Sequence, residues 1–296
     1  MDRYFLMHHE HDRRCICHRV VRAGGELGQF IAGPAALQSR LLTAEGVDAR
    51  SGRVDLQRFG FERFVGDRPL ERLKRVQEEL LARVSIRPRR RLPKLIGGVD
   101  VSYASAAEGV AGYALVQRES GRLVWSTTVR RPVRFPYIST YLTFRELPIL
   151  LELVDEVRRA GRLSEVLLVD GTGVLHPRGA GIASHLGVTA GLPTIGVTKK
   201  LLCGQVELDG MAPGESRPVV HADQLVGIAL RPTAGSRRPI FISPGHRTNV
   251  SFSETVARSL LSGRRLPEPL YWADRLSRSA AHGETRQNVE SGPYTW

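Results

Sequence analysis

No stretch of this sequence approaches the run of about 20 apolar residues needed to span a bilayer, and its N-terminus has no signal-peptide apolar segment. Membrane attachment and secretion are not expected, and a cytoplasmic location is. Cysteine is scarce. Cys15, Cys17 and Cys203 are odd in number and lack framework spacing, which argues against a disulfide-stapled fold and for a reducing compartment. Acid is also short: 30 Asp and Glu stand against 43 Lys and Arg, a formal excess of 13 positive charges. Such an excess suits a polyanion, nucleic acid first among them. An arginine-rich chain also follows from a GC-rich genome, so charge alone leaves the partner open. No internal repeat is present.

What is there is a chain of 296 residues, 42% hydrophobic, able to bury a substantial core as one large domain or two small ones. Residues 1–60 show weak periodicity. Their opening (His8, His9, His11, Cys15, Cys17, His18) superficially resembles a zinc cluster, but the spacing matches no common finger pattern, so an appended, poorly ordered or mis-annotated leader is expected. Residues 61–279 are expected to form the main folded domain and 280–296 a polar tail. Residues 69–84 place Leu70, Leu73, Val76, Leu80 and Val84 at helical spacing, and RPRRRLPK after them reads as a basic linker. Strand patterns at 95–104, 112–119 and 122–131 form a meander around the Ser120-Gly121 turn. A long helix over 139–160 follows, then strands and helices in alternation, with strands at 224–230 and 240–243. The order describes one mixed-sheet α/β domain.

Three acids break the pattern. On the long helix Glu146 shares a face with Leu142, Ile149, Leu150, Leu153 and Val157, while Arg145, Glu152, Asp155, Glu156 and Arg159 lie opposite. A carboxylate aimed at the core needs a cation or strong donors, so a salt bridge to a buried arginine competes with a metal ion. Asp100 interrupts an apolar strand, sharing its face with Gly98 and Ser102, and Asp170 ends the strand before the glycine-rich loop DGTGVLHPR. An acid in the first strand of a meander, another on the core face of the next helix and a third ending the next strand match the ribonuclease H-like architecture, in which such residues gather around Mg²⁺.

The segments GVDVSYA, FPYIS with FRELP, VLLVDGTGVLHPRGAGIASHLG, LPTIGVTKKLLCG, ISPGHR and RLPEPLYWADRL, in this order over about residues 62–278, resemble the endonuclease V family. The resemblance implies a ribonuclease H-like mixed sheet flanked by helices. It implies an endonuclease that uses Mg²⁺, with Mn²⁺ as a substitute, to hydrolyse the second phosphodiester bond 3′ to deoxyinosine and so initiate repair. By motif position Asp100, Glu146 and Asp170 match the acidic metal site, His246 its histidine contributor acting directly or through water, and Lys199 a lysine near the scissile phosphate. Pro136, Tyr137 and Ile138 match a wedge that enters the base stack, and Leu142, Gly171, His176 and Gly196 a pocket for the flipped base. The implied partner is DNA containing deaminated bases, with inosine-containing RNA as the alternative, and a monomer is expected. Ser139 and Thr140 stand where many relatives continue with Pro or Gly, and Thr172 where they often carry His or Asn. A non-catalytic nucleic-acid-binding protein of the same fold would have lost at least one of the three acids, and all are present. A junction resolvase would need neither the wedge nor the glycine-rich loop.

Overall fold

The protein is described by a computed structural model over residues 17–28, 34–61, 68–233, 235, 236 and 238–283. Of the histidine- and cysteine-rich opening, His8, His9, His11 and Cys15 lie outside the described residues. No helix among the described residues is long and apolar enough to cross a membrane.

Two compact units are distinguished. The smaller takes the described residues up to Leu70 together with Pro136–Ser139. Its helices are short, α1 (Ala35–Ala44) and α2 (Leu56–Phe59), which is why its periodicity is weak in the sequence. Leu42, Ala49 and Val54 form its core, the buried Gln38 amide donates to the carbonyls of His18 and Val20, and Asp55 caps α2 by accepting from Gln57 N.

The larger unit is built on an eight-stranded sheet in the order β3-β2-β1-β4-β5-β8-β7-β6. Its strands are β1 (Leu95–Ser105), β2 (Glu108–Gln117), β3 (Leu123–Pro132), β4 (Leu167–Asp170), β5 (Thr194–Thr198), β6 (Ser216–His221), β7 (Gln224–Leu230) and β8 (Ile240–His246). The β1–β4 and β4–β5 pairs are parallel and the rest antiparallel. This is the mixed sheet flanked by helices that was expected. Val99, Leu167 and Val169 pack with α4 (Leu142–Arg159) and α5 (Ile182–Ala190) on one face. Ile96, Leu168, Ile195 and Ile242 pack with α6 (Val250–Arg258) and α7 (Glu268–Ala281) on the other. Covered on both faces, β2 is buried almost end to end.

Four local differences from the sequence expectations have physical causes. The helix α3 (Pro69–Leu81) turns Gln77 and Leu80 inward and leaves Val76 exposed, because the Gln77 amide finds carbonyl partners at Thr140 and Ala180. The long helix starts at Leu142 instead of 139, since Thr140 takes a left-handed backbone (φ +67°) that no α-helix continues through. The edge strand β6 escaped notice because Val219 is its one buried side chain and Pro218 sits within it, tolerable at a sheet edge. Finally, β8 runs past Ser243 through Pro244 and Gly245 to His246, the register shift between Thr194 and Ile195 absorbing the proline.

Candidate metal centre

Parallel pairing sets the first two acids side by side. Val99 of β1 is in register with Val169 of β4, so Asp100 and Asp170, each one residue on, fall in the same rank. The third comes from α7, which lies directly on the backbones of β1 and β2. A Cβ on Gly98 would stand 2.4 Å from the Pro269 carbonyl carbon, and one on Gly112 would stand 2.6 Å from Ala273 O. That approach delivers Asp274, and one carboxylate oxygen each from Asp100, Asp170 and Asp274 lies within 4.8 Å of the others.

The surroundings hold the three in place and offset part of their charge. Ser277 Oγ, fully buried on α7, donates to Asp100 Oδ2 at 3.1 Å and lies 2.8 Å from Ser102 Oγ, which is then the donor to Ser277. Lys199 Nζ donates to Asp170 Oδ2 at 3.1 Å and stands 3.9 Å from Asp274 Oδ1, and Arg278 Nη2 reaches Asp274 Oδ1 at 2.9 Å. Burial, reinforced by the charges of Asp170 and Asp274, holds the Asp100 carboxyl well above the usual carboxylate range against the opposing pull of Lys199 and Ser277.

Glu146 stands beside this group, with 7% of its surface exposed, and accepts a hydrogen bond from Tyr103 OH at 2.8 Å. Burial pushes its carboxyl up to about 8, the Tyr103 hydrogen bond opposes the shift, and the charges of Asp100 and Asp170 add to it. The buried-arginine alternative is resolved in an unexpected way. Arg145, expected on the solvent side, is 7% exposed. Its guanidinium lies 4.3 Å over the Tyr103 ring and donates to Phe135 O at 2.6 Å, so it is used by a backbone carbonyl and not by a salt bridge to Glu146. In the first turn of α4 the helix meets the loop before it, which buries a side chain that simple helical periodicity assigns to water.

A cluster of half-buried oxygen donors with more carboxylates than cations fits a hard divalent cation, and Asp100, Asp170 and Asp274 could hold one. His246 does not join them, which corrects the expected histidine contributor. It pairs with Thr194 while Asp170 pairs with Val197, roughly 10 Å further along β5. A Cβ on Gly187 of α5 would stand 2.5 Å from His246 Cβ, so the imidazole also lies on the face away from α7. Its Nδ1 accepts from Ser85 N at 3.2 Å, and burial, helped by Arg247, Arg87 and Arg83, holds its pKa down. Asp274, the acid that sequence reasoning missed, carried a signal. It lies inside the quoted segment RLPEPLYWADRL, between Leu270 and Ser277 and beside the buried stripe Leu270, Ala273, Ser277.

Of the remaining expected residues, Tyr137 is exposed and Ile138 buried, while Pro136 precedes them in the same loop. Leu142 opens α4 half-buried. Gly171 follows Asp170 at φ +149°, and Gly196 has no room for a side chain, since a Cβ there would stand 2.4 Å from Gly173 N and 2.7 Å from Gly171 O. His176 is buried, with both ring nitrogens engaged by the backbone.

The profile of the family described as Endonuclease V matches residues 78–275. Endonuclease V of Azotobacter vinelandii is 38% identical over 204 residues, covering 68% of this chain and 90% of that protein. Endonuclease V of Ignicoccus hospitalis is 39% identical over 186 residues, 63% of this chain and 82% of that one. Among solved structures, the catalytic domain of human Endonuclease V superposes with a TM-score of 0.69 at 33% identity, covering 74% of this chain and 100% of that one. Ciona intestinalis Endonuclease V, in complex with a 23mer DNA containing an inosine followed by a ribo-adenosine, gives 0.67 at 25% identity, covering 74% and 99%.

Proposed function

Because the chain belongs to the endonuclease V family of nucleases, we propose that it is a magnesium-dependent endonuclease that hydrolyses the second phosphodiester bond 3′ to deoxyinosine in DNA and so initiates repair. The observation that carries the proposal is the convergence of Asp100, Asp170 and Asp274 within 4.8 Å, with Lys199 on one side and Glu146 buried on another. Mg²⁺ bound by these carboxylates would supply Lewis acidity and charge neutralisation at the scissile phosphate, with Mn²⁺ as a substitute. Lys199 offers its ammonium to the developing phosphate charge, and its hydrogen bond to Asp170 keeps it aimed there. Ser277 and Ser102 fix the Asp100 carboxylate, so its oxygens need not reorganise when a cation arrives.

Pro136, Tyr137 and Ile138 serve as the wedge. Leu142, Gly171, His176 and Gly196 line the base pocket. A cytoplasmic setting agrees with Cys203 being a free thiol. A second reading, cleavage of inosine-containing RNA, is favoured by one finding: the Ciona relative was crystallised with a ribo-adenosine after the inosine.

Matched labelled duplexes with and without one deoxyinosine, and inosine RNA beside them, test the proposal in Mg²⁺, in chelator and with the Asp274→Ala variant. Lesion-dependent nicking by wild type in Mg²⁺ alone is expected. Equal cutting of damaged and undamaged DNA would remove the wedge and pocket assignments, and cleavage confined to RNA would move the substrate.

A further inference from the structure

Three donors converge on a single backbone carbonyl. Thr140 O accepts from Gln77 Nε2 at 3.1 Å, His176 Nε2 at 3.1 Å and Arg178 Nη2 at 2.6 Å, and the same guanidinium nitrogen donates to Thr140 Oγ1 at 2.8 Å. The donors are tied to one another as well: Arg178 Nε donates to Gln77 Oε1 at 2.6 Å, and the Arg178 backbone N–H donates to His176 Nδ1 at 3.2 Å. With Nδ1 accepting, the imidazole hydrogen sits on Nε2 and points at Thr140. Burial, together with the Arg178 charge, pushes His176 down to about 4, so the ring stays neutral in this tautomer. Neither nitrogen is left for a base edge.

The residue they hold needs holding. Thr140 takes φ +67°, a left-handed backbone that a branched side chain disfavours and glycine adopts freely. It is also where Pro136–Ser139 rejoins the larger unit. At the other end of that turn Arg145 donates to Phe135 O at 2.6 Å while stacking 4.3 Å over Tyr103, just as Arg178 lies 4.4 Å over Tyr141. The four residues therefore run between two carbonyls, each bound by a tyrosine-stacked guanidinium.

We propose that Gln77, His176 and Arg178 are positioning residues for the Pro136–Ser139 turn. They lock Thr140 in its left-handed geometry so that the turn's exit is fixed before nucleic acid arrives, and His176 acts through this carbonyl instead of hydrogen-bonding the base. The proposal rests on the wedge reading given above. Preorganisation of this kind matters where the turn must enter a base stack, and little where no stack exists.

The test compares cleavage of an inosine duplex with cleavage of the same inosine strand without its complement, using the full chain in Mg²⁺. Arg178→Ala is expected to lower the duplex-to-single-strand ratio by roughly 10- to 100-fold, the scale of the one charge-assisted hydrogen bond among its three that holds Thr140 O, and Gln77→Ala to lower it less. Adding Thr140→Gly to Arg178→Ala is expected to restore part of the ratio, because glycine takes the left-handed backbone unaided. Should Arg178→Ala fail to fold in a thermal melt, Arg178→Lys, which keeps the charge but loses the fork, carries the same expectation. Equal loss on both substrates in a folded variant, or an unchanged ratio, would overturn the proposal while leaving the nuclease reading intact. A wild type that cuts neither inosine substrate would overturn both.

Discussion

The two ends of β5 carry opposite electrostatic problems. At the end shared with β1 and β4, Asp100, Asp170 and Asp274 crowd together and burial holds the Asp100 and Glu146 carboxyls above their usual range. At the end shared with β8, burial and the charges of Arg247, Arg87 and Arg83 hold His246 below its usual range. One end carries more carboxylates than its two cations, Lys199 and Arg278, and the other gathers arginines around a neutral imidazole. The difference teaches that a motif residue at a strand terminus goes wherever the strand's direction sends it. Because β8 runs antiparallel to β5, its C-terminal histidine arrives at the end away from the acids.

The comparison breaks most sharply by substitution at each end. Asp274→Ala is expected to reduce single-turnover cleavage of an inosine duplex by roughly 10³-fold or more, whereas His246→Ala should lower it less than about tenfold. A large loss in the histidine variant at unchanged melting temperature would return His246 to the chemistry. Next in size, Lys199→Ala should cost roughly 10²- to 10³-fold in kcat with a smaller change in KM, as for removal of one transition-state donor; the reverse split would make Lys199 a ground-state binder.

Stability sharpens the contrast without substrate. In the metal-free protein Asp100 and Glu146 keep protons that the unfolded chain releases near about pH 4. The acid end therefore contributes fully below that value and loses its contribution as pH rises toward about 8. Glu146→Gln should remove part of this limb and stabilise the chelated protein at pH 8 by about 1–3 kcal/mol while abolishing activity; melts at pH 5 and 8 that show no gain would mean the carboxyl ionises freely in the fold. The histidine end has the opposite sign. A depressed imidazole stabilises above its ordinary value of about 6.5, and that stability is lost as pH falls. The smallest expected effect is therefore a shallower acid limb for His246→Asn, measured against wild type in the same melts.

Much of this was legible in the sequence. The meander, the long helix, the strand 224–230 and the inward face of Glu146 follow from periodicity, and Asp100 stands out because an acid inside an apolar strand runs against propensity. Periodicity reports which face a residue takes and says nothing about what lies across the gap. Hence Arg145 was assigned to water although the preceding loop covers it, and Val76 was placed inside where Gln77 finds carbonyl partners. Asp274 escaped for a related reason: its place beside the buried stripe Leu270, Ala273, Ser277 is a signal only once the sheet beneath that stripe is known. His246 was expected at the metal site from its motif position alone, and nothing in ISPGHR reports that β8, antiparallel to β5, carries it to the end of β5 away from the acids.

Two absent methyl groups set the gauge of the metal centre. Since Gly98 and Gly112 let α7 rest on bare backbone, the distance from Asp274 to the two strand carboxylates is governed by the thickness of the helix–sheet seam more than by any rotamer. A seam this thin sets how near the helix's carboxylate stands to the two on the sheet before any ion arrives. The spacing of the three acids is thereby written in residues that have no functional group of their own.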